Sequence, residues 1–173
     1  MKNIMVDIET LNTVPGGIIL QIGAVEFIPE TGEILSPEFL VNIDREDSSF
    51  YNFTINLKTV AWWEKQSAEA KACLNNPKPI GVVKALTKFN DFVKDSTIWC
   101  HANFDLPFIC YALAKFNIEP SWYFKDYVDL RTLFRIYDYD IKNCTRIENN
   151  IHHSALGDCK FQIQCVKEAL ARG

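Results

Sequence analysis

The 173-residue sequence contains no apolar run of the roughly 18 residues that a membrane-spanning helix requires. Its N-terminus lacks the charged segment followed by an apolar one that marks a secretory leader. A cytoplasmic chain with no membrane partner is expected. The six cysteines, at 73, 100, 110, 144, 159 and 165, form no C-x-x-C pair and no paired Cys/His zinc spacing. Free thiols in a reducing compartment are therefore expected rather than a disulfide framework. Positive charge is also short: 18 Lys and Arg against 22 Asp and Glu leave a net charge of −4. A protein that holds a duplex by its phosphates usually carries a basic face. The deficit leans towards a small-substrate enzyme. It leaves room for an enzyme that grips a few nucleotides at a strand end, where metal ions can meet the phosphate charge.

What is present fits one domain over residues 1–173, with 48% hydrophobic and 23% charged residues. Residues 2–9 read as a strand ending in acids, and 18–28 as a second, β-branched strand. Pro29-Glu30-Thr31-Gly32 signals a turn into 33–43, whose end alternates Phe39, Val41, Ile43, so an antiparallel meander is expected. Asn56 is a plausible N-cap for a helical run over 57–75, broken near Gln66-Ser67. Pro77 and Pro79 bracket a break before a helix at 80–94, in which Val83, Leu86 and Phe89 follow helical spacing. A buried strand at 96–100, helices at 106–116 and 129–137, a polar loop over 138–151 and a last helix at 154–171 complete the chain. Three antiparallel strands followed by alternating helix and strand predict an α/β fold with a mixed sheet flanked by helices, compatible with a ribonuclease H-like architecture.

Five residues carry the chemistry. Asp7 and Glu9 stand at i and i+2, so on a strand both carboxylates share one face. They repel each other unless a cation joins them, and oxygen-only ligands suit magnesium or manganese. The bland alternative is a pair of solvated acids at an exposed strand end. Asp105 follows the strand at 96–100, where α/β folds build ligand sites, although an N-cap would also place an acid there. His153 and Asp158 lie five residues apart where the last helix begins. A neutral imidazole there can take a proton from water; the alternative makes His153 a cap and Asp158 a solvated helix position. His152 competes for the same role, and His101 has none assigned.

The segments VDIET (6–10), ANFDLPF (102–108) and HSALGD (153–158) resemble, in order and character, the three motifs of the DEDDh 3′→5′ exonuclease superfamily. The resemblance covers nearly the whole chain. In that superfamily the third motif has histidine five residues before aspartate, which His153 matches and His152 does not. The segments TVAWWEKQSAEAK (59–71) and YVDLRTL (127–133) further resemble a bacterial and phage branch of small exonucleases. His101-Ala102-Asn103-Phe104-Asp105 is one residue tighter than the H-N-A-x-F-D of many relatives, which puts His101 in the asparagine's place.

The resemblance implies that Asp7, Glu9, Asp105 and Asp158 hold two Mg²⁺ ions, for which Mn²⁺ can substitute, with His153 as general base. The implied partner is the 3′ end of single-stranded RNA or DNA, released as nucleoside 5′-monophosphates, with a homodimer left open. Thr10 and Leu11 resemble positions that meet the terminal nucleotide, Leu11 as an apolar wedge or as simple core. Trp62 and Trp63 diverge by about 100° on a helix, so one belongs in the core and the other can stack on a base. Phe108 is a further substrate-contact candidate, better suited to the core. Two other functions compete: a metal-dependent phosphatase or nucleotidase on small nucleotides, and a non-catalytic nucleic-acid-binding module, which would be expected to lose a motif carboxylate.

Overall fold

A computed structural model describes residues 1–75, 78–145 and 152–172. Its first strand, β1 (Lys2–Thr10), turns successive side chains to opposite faces of the sheet and is buried from Ile4 onward. The antiparallel β2 (Ile19–Ile28) pairs with it from Ile4↔Glu26 to Thr10↔Ile19, with a bulge between Glu9 and Thr10. The meander expected over 33–43 is present but divided: β3 (Glu33–Ile34) and β4 (Phe39–Asn42) pair successive stretches of β2. Pro37, which has no N–H to give a ladder, falls in the gap.

Four helices follow: α1 (Arg45–Phe50), α2 (Leu57–Trp63), α3 (Ala68–Lys71) and α4 (Val82–Phe92). Sequence periodicity did not indicate α1, a polar turn of helix started by Asp44, whose carboxylate accepts the Glu46 and Asp47 N–H groups. Asn56 caps α2 as expected, and Ser67 caps α3 at the foreseen break. In α4 the inward residue is Val82 rather than Val83, which is 38% exposed. Pro77 lies outside the described residues.

The chain then runs through β5 (Ser96–Cys100), α5 (Asp105–Lys115), β6 (Tyr127–Asp129), α6 (Leu130–Ile136) and α7 (Ala155–Leu170). β5 lies parallel to β1 and β6 parallel to β5, giving a mixed six-stranded sheet in the order β3-β2-β1-β5-β6, with β4 beside β2. This is the expected ribonuclease H-like α/β arrangement. Three-residue β6 is too short to leave a period in the sequence, and it went unforeseen. Of the polar connection expected over 138–151, Ile141–Asn143 forms a 3₁₀ turn, and residues 146–151 lie outside the described residues.

The sheet separates two cores. On one face Ile4, Val6, Ile8 and Ile98 pack with Leu86 and Phe89 of α4 and with Phe108 and Leu113 of α5. On the other, Met5, Val25, Phe27 and Trp99 pack with Leu130 of α6 and with Cys159, Ile163 and Val166 of α7. Asp7 and Glu9 continue the row that Met5 begins, beneath the first turns of α7.

Candidate active site

Two residues of β2 seat the start of α7 over the acidic end of β1. Gly23 stands directly across from Asp7, and a Cβ there would lie 2.6 Å from the Ala155 carbonyl carbon. Only glycine admits the helix so close. Gln21, across from Glu9, accepts the Ala155 N–H at 3.3 Å and donates to Asn42 at 2.8 Å. The consequence is that Asp158, in the first turn of α7, meets the strand carboxylates.

Asp7, Glu9, Asp105, His153 and Asp158 all line one cleft of about 540 Å³. Solvated acids at a strand end are ruled out, since Asp7 and Glu9 are each only 8% exposed and Asp105 is 2% exposed. Asp105 is not the N-cap of α5; Phe104 is, and Asp105 turns back to accept the His101 N–H at 2.8 Å. His153 stands on the approach to α7 with φ +60°, a left-handed conformation more accessible to histidine than to most residues. Asp158 holds it there by accepting its N–H at 3.0 Å. Ligand atoms of Glu9, His153 and Asp158 lie within 4.8 Å of one another. His152, the competitor, also lines this cleft, more exposed than His153, its Nδ1 3.7 Å from the other oxygen of Asp158 and its ring against Phe161.

Electrostatics mark this as a site short of positive charge. Burial, then the charges of Asp105, Glu9 and Asp158, push the Asp7 carboxyl well above the carboxylate range. Burial and Asp158 raise Glu9 to about 8. Burial raises Asp105 to about 7 against the opposing N–H of His101 and the charge of Arg131, and burial raises Asp158. Apart from histidines, Arg131 is the one cationic side chain lining the cleft among the described residues. Carboxylates that resist ionisation without a cation, with His153 among the nearby donors, fit a divalent ion.

The two tryptophans separate as expected, and the structure assigns them. Trp63 is buried, with its indole N–H on the Thr10 carbonyl at 2.9 Å. Trp62 is 42% exposed and sets its ring edge-on to His153, centroids 4.8 Å apart. It stands between the acidic cleft and a second pocket of about 460 Å³ that Thr10, Asn12, Thr59 and Phe104 also line. Thr10 reaches that pocket, although its hydroxyl donates to the Asn12 carbonyl at 2.6 Å. Two substrate candidates are corrected. Leu11, 3% exposed, and Phe108, 1% exposed, are core side chains with no surface to offer a base. Phe104, which packs on Phe108 at 4.9 Å, joins Trp62 in lining both pockets.

Sequence reasoning missed three further groups. Gln162 follows Asp158 by one helical turn and donates to Asp7 Oδ1 at 2.8 Å, while its own Oε1 is buried with no partner among the described residues. Asp129 caps α6 through Thr132 and also accepts the Ala102 N–H at 3.0 Å, fixing the turn that carries Asp105. Arg131, two residues on, donates to Asn103 Oδ1. An i, i+4 relation between Asp158 and Gln162 was a usable signal; Asp129 and Arg131 lie in the segment YVDLRTL, whose resemblance was read without a role for either. His101 lines the cleft with Nδ1 buried and without a partner among the described residues, its pKa lowered to about 4 by burial and by Arg131, so its imidazole is neutral.

A family model described as the 3′-5′ exoribonuclease Rv2179c-like domain matches residues 2–170. A search of curated proteins found no match. Among solved structures, the zinc-ion-bound form of the E. coli ExoI–ssDNA complex is similar at TM-score 0.69 and 15% identity, covering 96% of this chain and 39% of that one. Exonuclease X in complex with 5′-overhanging duplex DNA is similar at TM-score 0.61 and 16% identity, over 98% of this chain and 91% of that one. A full-length 3′-exonuclease gives TM-score 0.67 at 12% identity, over 98% and 81%. At such identities the likeness is one of fold, and the chain spans about two fifths of the ExoI chains it matches.

Proposed function

We propose, for a chain that belongs to the 3′-5′ exoribonuclease Rv2179c-like family, that it removes nucleotides one at a time from the 3′ end of single-stranded RNA or DNA as nucleoside 5′-monophosphates. The observation that carries this reading is the convergence of three buried carboxylates and a half-buried fourth, all raised in pKa, with a histidine five residues before the last of them. Asp7, Glu9, Asp105 and Asp158 would hold two divalent cations, Mg²⁺ or Mn²⁺, which supply an acidified water and offset the phosphate charge.

The protein's own groups do the rest. His153, braced through its N–H by Asp158 and along its ring by Trp62, takes the proton of the attacking water. That water bonds to phosphorus, the bond from phosphorus to the 3′ oxygen of the remaining strand breaks, and that oxygen is protonated. The terminal nucleotide occupies the pocket beside Thr10, its base against Trp62 and Phe104, where an aromatic contact is worth about 1–3 kcal/mol. Support for that placement comes from the two aromatic rings shared by this pocket and the acidic cleft.

The test is a product time course on single-stranded RNA, single-stranded DNA, overhanging duplexes, dinucleotides and free mononucleotides, with EDTA, Mg²⁺ or Mn²⁺. Stepwise 5′-monophosphates from a 3′ end, abolished by EDTA and restored by either ion, are expected. Full activity after exhaustive chelation overturns the metal mechanism. Hydrolysis of mononucleotides at least as fast as oligomers would instead make the protein a nucleotidase.

A further inference from the structure

The acidic cleft does not end at its carboxylates. Arg131, Phe134 and Ile141 line it and also line an adjoining pocket of about 370 Å³, to which α6 adds Arg135. Arg131 and Arg135 are one turn apart on the same face of α6, about 6 Å along its axis. That separation is of the order of the distance between neighbouring phosphates in an extended strand. Both side chains are exposed, and neither enters an ion pair among the described residues. Arg131 is steadied by the neutral Asn103, and Arg135 has no side-chain partner among the described residues. The pocket also holds Asp138 and Asp140; Asp140 accepts the Lys142 N–H, and neither acid forms an ion pair with a guanidinium among the described residues. Ile141, 44% exposed, gives the floor an apolar surface.

In a chain with net charge −4, two exposed guanidiniums at the mouth of an acidic cleft, Arg131 held by a neutral amide and facing Asp105 and Asp129, Arg135 with no side-chain partner among the described residues, are out of keeping with a merely solvated face. Guanidinium is the group best matched to phosphate oxygens. If the terminal nucleotide lies on the Thr10 and Trp62 side, the strand must leave the cleft elsewhere, and the opening that continues it runs along α6. We infer that α6 carries the single strand 5′ of the scissile phosphodiester, Arg131 taking the first upstream phosphate and Arg135 the second. This rests on the exonuclease reading for direction and on the groove itself for binding. It makes substrate length, rather than base sequence, the property that α6 senses.

The experiment compares wild type with Arg135→Ala and Arg131→Ala on 5′-hydroxyl di-, tri-, tetra- and hexanucleotides of RNA. It also measures fluorescence anisotropy of a labelled hexanucleotide in EDTA at low salt. Wild-type kcat/KM should climb up to the tetranucleotide. Arg135→Ala should lose roughly 5- to 10-fold on tetranucleotides and longer, mostly in KM, and leave the dinucleotide within about twofold. The slope of log affinity against log salt should flatten by about one for each arginine removed. Equal anisotropy and equal length dependence in wild type and Arg135→Ala overturn the track. A wild type that binds the hexanucleotide in an Arg135-dependent way and never cleaves it keeps the track and overturns the exonuclease reading.

Discussion

The two faces of β1 share one backbone and have opposite fates. Ile4, Val6 and Ile8 disappear into the core beneath α4 and α5. Met5, Asp7 and Glu9, on the other face, pass within three side chains from buried thioether to buried carboxylate. Both faces are almost wholly inaccessible, so burial does not distinguish them. What does is how each responds to being buried: the apolar face gains free energy from dehydration, whereas the acidic face loses it until something positive arrives. The first face makes the fold. The second is tolerated by it, and that tolerance is the mark of a site.

The largest effect expected from this contrast is on turnover. Asp7→Asn or Glu9→Gln should abolish it while raising the melting temperature of the metal-free protein, because a mutual repulsion is removed. Ile8→Ala, next door on the opposite face, should cost about 2–5 kcal/mol of stability. Thermal melts and single-turnover assays on the pair settle it. If Asp7→Asn melts as early as Ile8→Ala, the two faces are not different in kind.

Next comes the histidine, which borders the acidic face from α7. His153→Ala should lower kcat by roughly 10²–10⁴-fold, the range of a positioned base, with His152→Ala far milder. Because His153 shares its surroundings with Glu9 and Asp158, the affinity for Mn²⁺ must be measured alongside. An unchanged affinity fits a base; a lost one makes His153 a ligand. A crippled His152→Ala beside an active His153→Ala would shift the motif by one residue.

Most of this was legible in the sequence, and for identifiable reasons. Alternation placed Asp7 and Glu9 on one face, and the break after Cys100 placed Asp105 at a strand tip. Resemblance to the superfamily's third motif, with its histidine five residues before aspartate, favoured His153 over His152. The meander and the long helices announced themselves through apolar periods. What stayed hidden was settled by tertiary packing. β6 is three residues long and α1 has no apolar face, so neither leaves a period. The choice between Trp62 and Trp63 turns on which indole reaches the Thr10 carbonyl, and the demotion of Leu11 and Phe108 turns on depth in the core. No local pattern encodes either.

A smaller effect should come from Gln162, which ties α7 to the acidic face without touching the apolar one. Its amide fixes Asp7 Oδ1 and favours the ionised carboxylate. Gln162→Leu should weaken Mn²⁺ binding roughly 10- to 100-fold, as loss of a partner that orients a ligand commonly does. Activity should recover at saturating metal, and the metal-free melting temperature should hold. Calorimetric titration with Mn²⁺ reads this directly; unaltered affinity would leave Gln162 a packing residue.

The smallest effect, and the one that isolates the physics of the acidic face, is the pH dependence of stability without metal. Asp7, Glu9, Asp105 and Asp158 all have folded-state pKa values raised by burial, Asp105 to about 7 and Glu9 to about 8. The folded protein therefore holds these protons more tightly than the unfolded chain, so stability is greatest where the carboxyls stay protonated and is lost as pH rises through 7 and 8. Between pH 6 and pH 8.5 the melting temperature in EDTA should fall by several degrees or more, each kcal/mol of lost stability being worth about 2–4 °C at this size. Saturating Mg²⁺ supplies the missing charge, so the gap between melts with and without it should widen across the same interval. Asp7→Asn should flatten the metal-free curve, whereas Ile8→Ala should lower it in parallel at every pH. A metal-free curve that is level or climbs from pH 6 to 8.5 would mean that the carboxylates are not buried against one another, and the contrast between the two faces of β1 would fail with it.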